Sequence, residues 1–278
     1  MSVALIAHRR TPTNAALARA WPGADVLTPA LAVERLAEGD VAVARLDVAE
    51  CLDGIESGLW ELARLEGAGV RVLNPPRALI AAHDKLATAR ALLDAGVPHP
   101  RTVHVDAPSA AVPLVPPYVV KPRFGSWGRD VELCPDAASL RRHLAKVAER
   151  PWFVAHGALV QELVPPIGHD ARVVVAGDMV VGAVRRIAAP GEWRTNVALG
   201  ACRSPLTPSA EVCRLALSAA RAIDADLVGV DLLPTPEGHV VLELNGAVEF
   251  NEQYALDTSD VFATTLEALL ADHVAAVA

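Results

Sequence analysis

Residues 227–245 read LVGVDLLPTPEGHVVLELN, and their reading decides the architecture of the C-terminal half. Two apolar-rich runs flank Thr235-Pro236-Glu237-Gly238, a turn-forming tetrad, so the stretch predicts an antiparallel hairpin. On its return strand Glu243 and Asn245 are two apart and share a face. A turn centred near Glu237 puts Asp231 opposite Glu243, with Cβ atoms about 5 Å apart. Leu232, Leu242 and Leu244 are then expected on the other face, as core. Carboxylates this close repel unless a cation bridges them, and an all-oxygen set of Asp231, Glu243 and Asn245 favours Mg2+ or Mn2+. The plainer alternative is a polar sheet face turned to solvent. Apolar flanks on both strands and the amide at the third position weigh against it.

Working outward, a first hairpin is expected over Ala171–Ile187, turning at Gly177-Asp178. A helix over Pro208–Ile223 separates the hairpins, and a last helix covers Thr258–Ala275. Upstream, the apolar strand Tyr118–Pro122 carries Lys121 and runs into the loop Gly125-Ser126-Trp127-Gly128. Of 25 basic residues only Lys85, Lys121 and Lys146 are lysines. In so Arg-rich a chain a retained Lys marks a place that needs a compact ammonium. Ammonium groups bind phosphate as point charges, and a Gly-containing loop lets backbone N–H groups approach it. Lys121 and Lys85 fit that role, whereas Lys146 reads as surface. The spacing predicts one helix over Arg77–Ala95, ending at Gly96-Val97-Pro98. A strand over Val131–Cys134 and a helix from Asp136 to Glu149 are also expected. In the first seventy residues, strands Val3–Ala7, Val41–Leu46 and Val70–Leu73 alternate with helical spacing over Asn14–Ala20, Leu31–Glu38 and Ile55–Leu65. That rhythm predicts an open, largely parallel α/β sheet. No G-x-G-x-x-G follows the first strand, so a dinucleotide is not indicated.

The chain has 278 residues, 52% hydrophobic and 21% charged, which excludes global disorder and allows two or three subdomains. No apolar run approaches the roughly 20 residues of a membrane helix, and the N-terminal charge follows the apolar run instead of preceding it. A cytoplasmic protein without membrane partners is expected. Cys51, Cys134, Cys202 and Cys213 lack C-x-x-C spacing, so neither zinc nor a disulfide framework is expected. A net charge of −8 argues against nucleic acid. A local basic site from Arg123, Arg129, Arg185, Arg186, Arg194 and Arg203 remains open.

Together, Lys85, Lys121 with its Gly-Ser-Trp-Gly-Arg loop, Gln161-Glu162-Leu163-Val164, Asp231 and Glu243-Leu244-Asn245 resemble, in order, an ATP-grasp ligase. The set looks like the branch containing RimK, the ribosomal-protein glutamate ligase, and LysX, the carrier-protein ligase of lysine biosynthesis, and is closer to LysX. The likeness runs from about Asn74 to Asp260. It implies an ATP-grasp α/β fold: an N-terminal α/β unit over residues 1–84, a central lid unit over 85–164 and a C-terminal unit over 165–278 with the metal and substrate site. By the same resemblance Lys85 and Lys121 hold ATP phosphates under Gly125, Ser126, Trp127, Gly128 and Arg129. Gln161 to Val164 form a hinge that reads adenine, continued by Asp170 and Arg172. Arg194-Thr195-Asn196 resembles the Arg-Ser-Asn that touches nucleotide and metal, and Asp231, Glu243 and Asn245 bind Mg2+ or Mn2+.

The first hairpin and the loop after it would build the acceptor side. Arg185 and Arg186 point to opposite faces, and a two-residue turn puts Arg185 on the face of Asp170. Arg186 is therefore the candidate for a carboxylate or acyl phosphate, bound through the bidentate fork that Arg offers. Arg186, Lys121 and Asn196 are the catalytic candidates. Val197, Ala198, Glu249, Phe250, Asn251, Glu252 and Gln253 would line the amino-acid pocket. The sequence departs from the pattern in Leu199-Gly200-Ala201, where a glycine pair is usual. Asn245-Gly246-Ala247-Val248-Glu249-Phe250 resembles the Asn-x-x-x-Glu-Phe of LysX with smaller residues inside.

The resemblance implies a carboxylate–amine ligase that joins an amino acid to the C-terminal Glu of a small acidic carrier protein, as a dimer or tetramer. A RimK-like glutamate ligase acting on a protein, peptide or cofactor tail is the alternative, and a non-catalytic nucleotide-binding relative is the second.

Overall fold

Proline at the first helical turn, after a threonine cap, starts the first two helices of the N-terminal layer. Thr11 accepts from the Asn14 N–H and Thr28 from the Leu31 N–H, each just before a proline. The computed structural model describes residues 2–277, with side chains to Ala271. Met1 and Ala278, the outer ends of the first and third expected units, lie outside the described residues. The chain opens β1 (Val3–Ile6), α1 (Pro12–Ala20), β2 (Asp25–Leu27), α2 (Pro29–Arg35), β3 (Val41–Ala44), α3 (Leu59–Gly67) and β4 (Arg71–Leu73). The four strands form a parallel sheet in the order β2-β1-β3-β4. All four residues of β3 are buried, as befits a strand covered on both faces. The three expected strands are present; β2 is an addition.

The single helix expected over Arg77–Ala95 is two, α4 (Pro76–His83) and α5 (Lys85–Asp94). Asp84 leaves helical geometry and caps α5 by accepting from the Leu86 and Ala87 N–H groups. Its carboxylate also pairs with Arg123. This break makes Lys85 the first residue of α5 and ties it to the strand that carries Lys121, through Lys85 N–H to the Arg123 carbonyl at 3.1 Å.

β5 (Thr102–Val105), β6 (Tyr118–Pro122), β7 (Glu132–Cys134) and β8 (Ala158–Glu162) build a second, antiparallel sheet in the order β5-β8-β6-β7. α6 (Ala137–Val147) and α7 (Pro151–His156) bury Leu140, Leu144, Trp152 and Phe153 in its core.

β9 (His169–Ala176), β10 (Met179–Ile187), β11 (Cys202–Pro205), β12 (Leu227–Thr235) and β13 (Gly238–Asn245) form a third sheet, antiparallel, in the order β11-β10-β9-β12-β13. α8 (Ala210–Ala222) packs Val212, Leu215 and Ala216 into one core with this sheet. A second core joins it to the first layer, where Trp21 of α1 and Phe262 of α9 (Val261–Val277) meet Val174, Val184, Phe250 and Tyr254. No described helix is long and apolar enough to cross a membrane.

Two bulges set which side chains face where. Asp231 stands opposite Glu243 as expected, but the next pair is Leu232 with Val241. Leu242 is therefore the extra residue. Val241, fully buried, takes the core position expected for Leu242, which turns instead toward an open cleft. In the first hairpin the register slips between Val180 and Gly182, so Arg186, not Arg185, stands opposite Asp170. Arg185 is exposed and Arg186 is buried.

Candidate active site

The second and third sheets face each other across a cleft of about 880 Å3 of empty space, open solvent at its mouth included. β6 brings Lys121 and β8 brings Gln161 from one side; β10, β12 and β13 bring Arg186, Asp231 and Glu243 from the other. Lys121 is 5% exposed and its Nζ donates to Gln161 Oε1 at 2.8 Å, while Gln161 Nε2 donates to the Thr102 hydroxyl at 2.8 Å. The Gln161 side chain thus positions the lysine. Burial pulls the Lys121 ammonium down to about 8, opposed by Glu243 and helped by Lys85. Lys85 Nζ donates to the Gly125 carbonyl and lies 3.8 Å from Glu243 Oε2. Both ammonium groups border the cleft beside the glycine loop.

That loop curls through left-handed conformations at Trp127, Gly128 and Asp130, with φ of 59°, 70° and 53°. Arg194 clasps it, donating from Nη1 to the Gly128 carbonyl at 3.0 Å. A Cβ on Gly128 would stand 2.8 Å from Asn196 Oδ1, so only glycine lets the loop approach so closely. The other end of the cleft is apolar, with Val119, Leu163, Leu233 and Leu242, and Glu162 and Val164 border it as well. The Val164 N–H has no partner among the described residues, a free donor at the edge of an apolar slot.

A buried chain of charge runs beneath the cleft. Arg172 grips Asp231 with Nε and Nη2 at 2.6 and 2.7 Å. Arg186 grips Asp170 with the same two atoms and also reaches Asp231 Oδ2 at 2.8 Å. Thr195 donates to Asp170 at 2.5 Å. Burial alone would raise the Asp231 carboxyl, but Arg172 and Arg186 override it and hold it well below the usual carboxylate range. Burial likewise lowers the Arg186 guanidinium, and Asp231 and Asp170 more than reverse that. The expected bidentate use of Arg186 on a ligand is corrected, because that fork is occupied by Asp170 and only Nη1 lacks a partner among the described residues. Asp170 does not border the cleft as expected for a hinge residue; it lies under Arg186, 1% exposed.

Glu243 makes no hydrogen bond among the described residues, and its nearest cation is Lys85. Asn245 Nδ2 is buried without a partner, a donor that calls for an acceptor such as a phosphate or carboxylate oxygen, which leaves Oδ1 as the atom a cation would take. With Asp231 opposite Glu243 across the bulge, the oxygens of the three residues form a set suited to a hard divalent cation. The arginines nevertheless show that Asp231 is neutralised without one.

Ser126, Arg186, Asn196 and Glu243 also border a second recess on the inner side of the cleft. Trp127, Arg172 and Asn245 border the recess and not the cleft. Val197, Ala198 and Glu249, expected around an amino-acid pocket, line this recess. Phe250, Asn251, Glu252 and Gln253 do not, which corrects that expectation. Phe250 is buried in the shared core, stacked on Phe262 with ring centroids 5.2 Å apart. Asn251 caps the turn over 252–254 by accepting from the Gln253 N–H, and Glu252 and Gln253 are exposed. Sequence reasoning missed the far wall, Asp47 and His83 from the N-terminal layer, and gave Arg203 no particular role there. It also missed Arg45, which is buried and donates to the Val248 carbonyl at 2.7 Å and to Glu249 at 3.3 Å. Thr11 and Thr13 hold Glu249 further, at 2.8 and 2.7 Å. These contacts join residues more than 200 positions apart, and no local pattern announces them.

Residues 82–266 match the RimK-like ATP-grasp domain. The glutamate–LysW ligase ArgX of Sulfurisphaera tokodaii is 31% identical over 201 residues, 69% of this chain and 70% of that protein. A probable alpha-L-glutamate ligase of Xanthomonas campestris is 34% identical over 194 residues, 68% of this chain and 65% of that protein. In fold, a RimK domain ATP-grasp protein of Sphaerobacter thermophilus superposes with a TM-score of 0.68 at 22% identity, covering 97% of this chain and all of that one. The chain belongs to the RimK-like family of ATP-grasp ligases, enzymes that form bonds at the expense of ATP.

Proposed function

We propose that the chain forms an amide between an acceptor carboxylate and the amino group of an amino acid, through an acyl phosphate made with ATP. The observation that carries this reading is the shared border. Ser126, Arg186, Asn196 and Glu243 line both the cleft and the recess, so a phosphate at the inner end of the cleft meets a substrate held in the recess. The base occupies the apolar end, against Leu163, Leu233 and Leu242, with the Val164 N–H as a donor to a ring nitrogen. Lys121 and Lys85 hold phosphate oxygens, and the Gly125–Arg129 loop covers them. Asp231, Glu243 and Asn245 would hold Mg2+, which supplies charge compensation to the phosphates. The reading keeps the division into units 1–84, 85–164 and 165–278, with nucleotide between the second and third.

In the first step a carboxylate oxygen attacks the γ-phosphorus and ADP leaves. Arg186 and Asn196, which border both cavities, would meet the transferred group through Nη1 and the amide, and positioning with charge stabilisation would carry the step. In the second step the amine nitrogen attacks the acyl carbon and phosphate leaves. The relatives named for ligating glutamate, one of them to LysW, support an amino acid as one partner and a carrier or peptide terminus as the other. Screening amino acids against carrier C-terminal peptides and free dicarboxylates, for ATP-dependent ADP release with mass detection of product, tests the reading. A product heavier than the acceptor by the amino acid less water is expected. ATP and acceptor that yield neither ADP nor a hydroxamate on adding hydroxylamine, across the whole panel, would overturn it.

A further inference from the structure

The recess has two unlike walls. Arg172, Arg186 and Arg203 border it on one side, and Arg203 Nε is buried there without a partner. On the other side stand Asp47, His83 and Glu249, all three acceptors, brought by the N-terminal layer and the segment after β13. His83 is 95% buried, and its Nε2 lies 2.9 Å from the Leu46 carbonyl. A carbonyl only accepts, so Nε2 carries the proton and Nδ1 is left as a bare lone pair. Burial and nearby Lys85 pull the imidazole down to about 4, which keeps it neutral at physiological pH. Nδ1 has no partner among the described residues, and His83 borders the recess.

Asp47 is the next residue after that carbonyl. One of its oxygens accepts from the Val48 N–H at 2.7 Å, and the other has no partner among the described residues. Glu249 keeps 44% of its side chain open while Thr11, Thr13 and Arg45 fix its direction. Three acceptor residues, two of them carboxylates, therefore border a recess that Arg172, Arg186 and Arg203 border as well.

Resting on the ligase reading above, we infer that Asp47 and His83 Nδ1, together with Glu249, form the subsite that receives the ammonium of the incoming amino acid. An ammonium has three N–H donors and no acceptor, and this wall offers three acceptor residues. Before attack one ammonium proton passes to the unpartnered Asp47 carboxylate oxygen, which frees the nitrogen lone pair, and a second leaves with the phosphate as the amide forms. The N-terminal layer, which adds nothing to the nucleotide cleft, thereby selects the amine. A nucleophile without an ammonium does not need the subsite.

The test compares two nucleophiles on the same acyl phosphate. Asp47→Asn keeps the shape and the Val48 bond. His83→Gln keeps an N–H for the Leu46 carbonyl but has no acceptor at the Nδ1 position. His83→Asn keeps an acceptor there. Each of the first two should raise the KM for the amino acid about 10-fold or more, as expected for one charge-assisted hydrogen bond. Hydroxamate formation from hydroxylamine and the KM for ATP should stay within about twofold. His83→Asn should recover most of the amino-acid KM. An unchanged amino-acid KM in Asp47→Asn and His83→Gln, or an equal loss with hydroxylamine, overturns the inference. Absence of any hydroxamate from the unaltered protein overturns the ligase reading instead, so the two failures are distinct.

Discussion

The cleft proposed for the nucleotide and the recess proposed for the amino acid share four residues and differ in how the chain builds them. Most side chains of the cleft sit on β6, β8, β10, β12 and β13 or on the loops beside them, within the stretch from Lys85 to Glu243. Their positions follow from strand alternation and hairpin register. The recess takes Asp47, His83 and Glu249 from distant parts of the chain, held together where Arg45 reaches Val248 and Thr13 reaches Phe250 across more than 200 residues. ATP is one ligand for a whole family, and a local frame suffices for it. The wall proposed for the amine is assembled from parts far apart in sequence.

The largest effect is expected where the cleft and the buried charge chain coincide. Asp231→Ala removes a proposed metal ligand, strands Arg172 in the interior and leaves Arg186 with Asp170 alone. It should abolish turnover and destabilise the fold by about 3–5 kcal/mol, the cost of breaking a buried ion pair. Glu243→Ala removes a carboxylate that no guanidinium grips, so turnover should fall about 100-fold or more while thermal stability stays near that of the parent. Thermal melts beside single-turnover ADP release check both. A stable Asp231→Ala variant would break the claim that its charge holds the cleft floor together.

Lys121→Arg comes next. The guanidinium is larger and forked, and at 5% exposure the site against Gln161 has no room for it. Turnover should fall nearly as far as in Lys121→Ala, by about two to three orders of magnitude. The unaltered protein adds a pH test. Lys121 titrates near 8 in the free protein, below its ordinary 10.5, because burial disfavours the ammonium. Phosphate binding needs the charged form, so kcat/KM for ATP should decline as pH rises through about 8 and hold steady below it. Folding responds with the opposite sign. Between about 8 and 10.5 the unfolded chain carries the proton and the folded one does not, so this group makes stability rise with pH. A flat kcat/KM profile up to pH 9.5 would show that Lys121 touches no phosphate.

The same contrast explains what the sequence made legible. Period-two alternation fixed Asp231 against Glu243, and the lysines stood out against a background of arginine. Both bulges escaped. Nothing local signals the extra residue that sends Leu242 into the cleft and Val241 into the core, or the slip that pairs Arg186 with Asp170. Helical spacing carried smoothly through Asp84, yet its carboxylate caps a new helix because Arg123, 39 residues on, is there to pair with it. Phe250 resembled a pocket residue by its place after Glu249, but α1 and α9 enclose it. Each miss turns on a partner distant in sequence, or on one inserted residue.

The smallest expected effect belongs to the recess and sharpens the comparison most. Glu249→Gln keeps the length of the side chain and one oxygen, for Thr11 and Arg45, while its NH2 replaces the oxygen that Thr13 used and the Thr13 hydroxyl is left to donate to the Phe250 carbonyl, so the fold should change little. What it removes is one negative charge facing the recess, offset in part already by Arg45 3.3 Å away. The KM for the amino acid should rise about three- to tenfold, at or below the scale of a charge-assisted hydrogen bond because Asp47 and His83 share the ammonium. ATP affinity and the trapped hydroxamate should not change. If Glu249→Gln weakened ATP binding, the two regions would not be separable and the recess would be part of the nucleotide site. A KM that rose only when Asp47 was also altered would show instead that the carboxylates substitute for each other, a coupling that a double-mutant cycle measures directly.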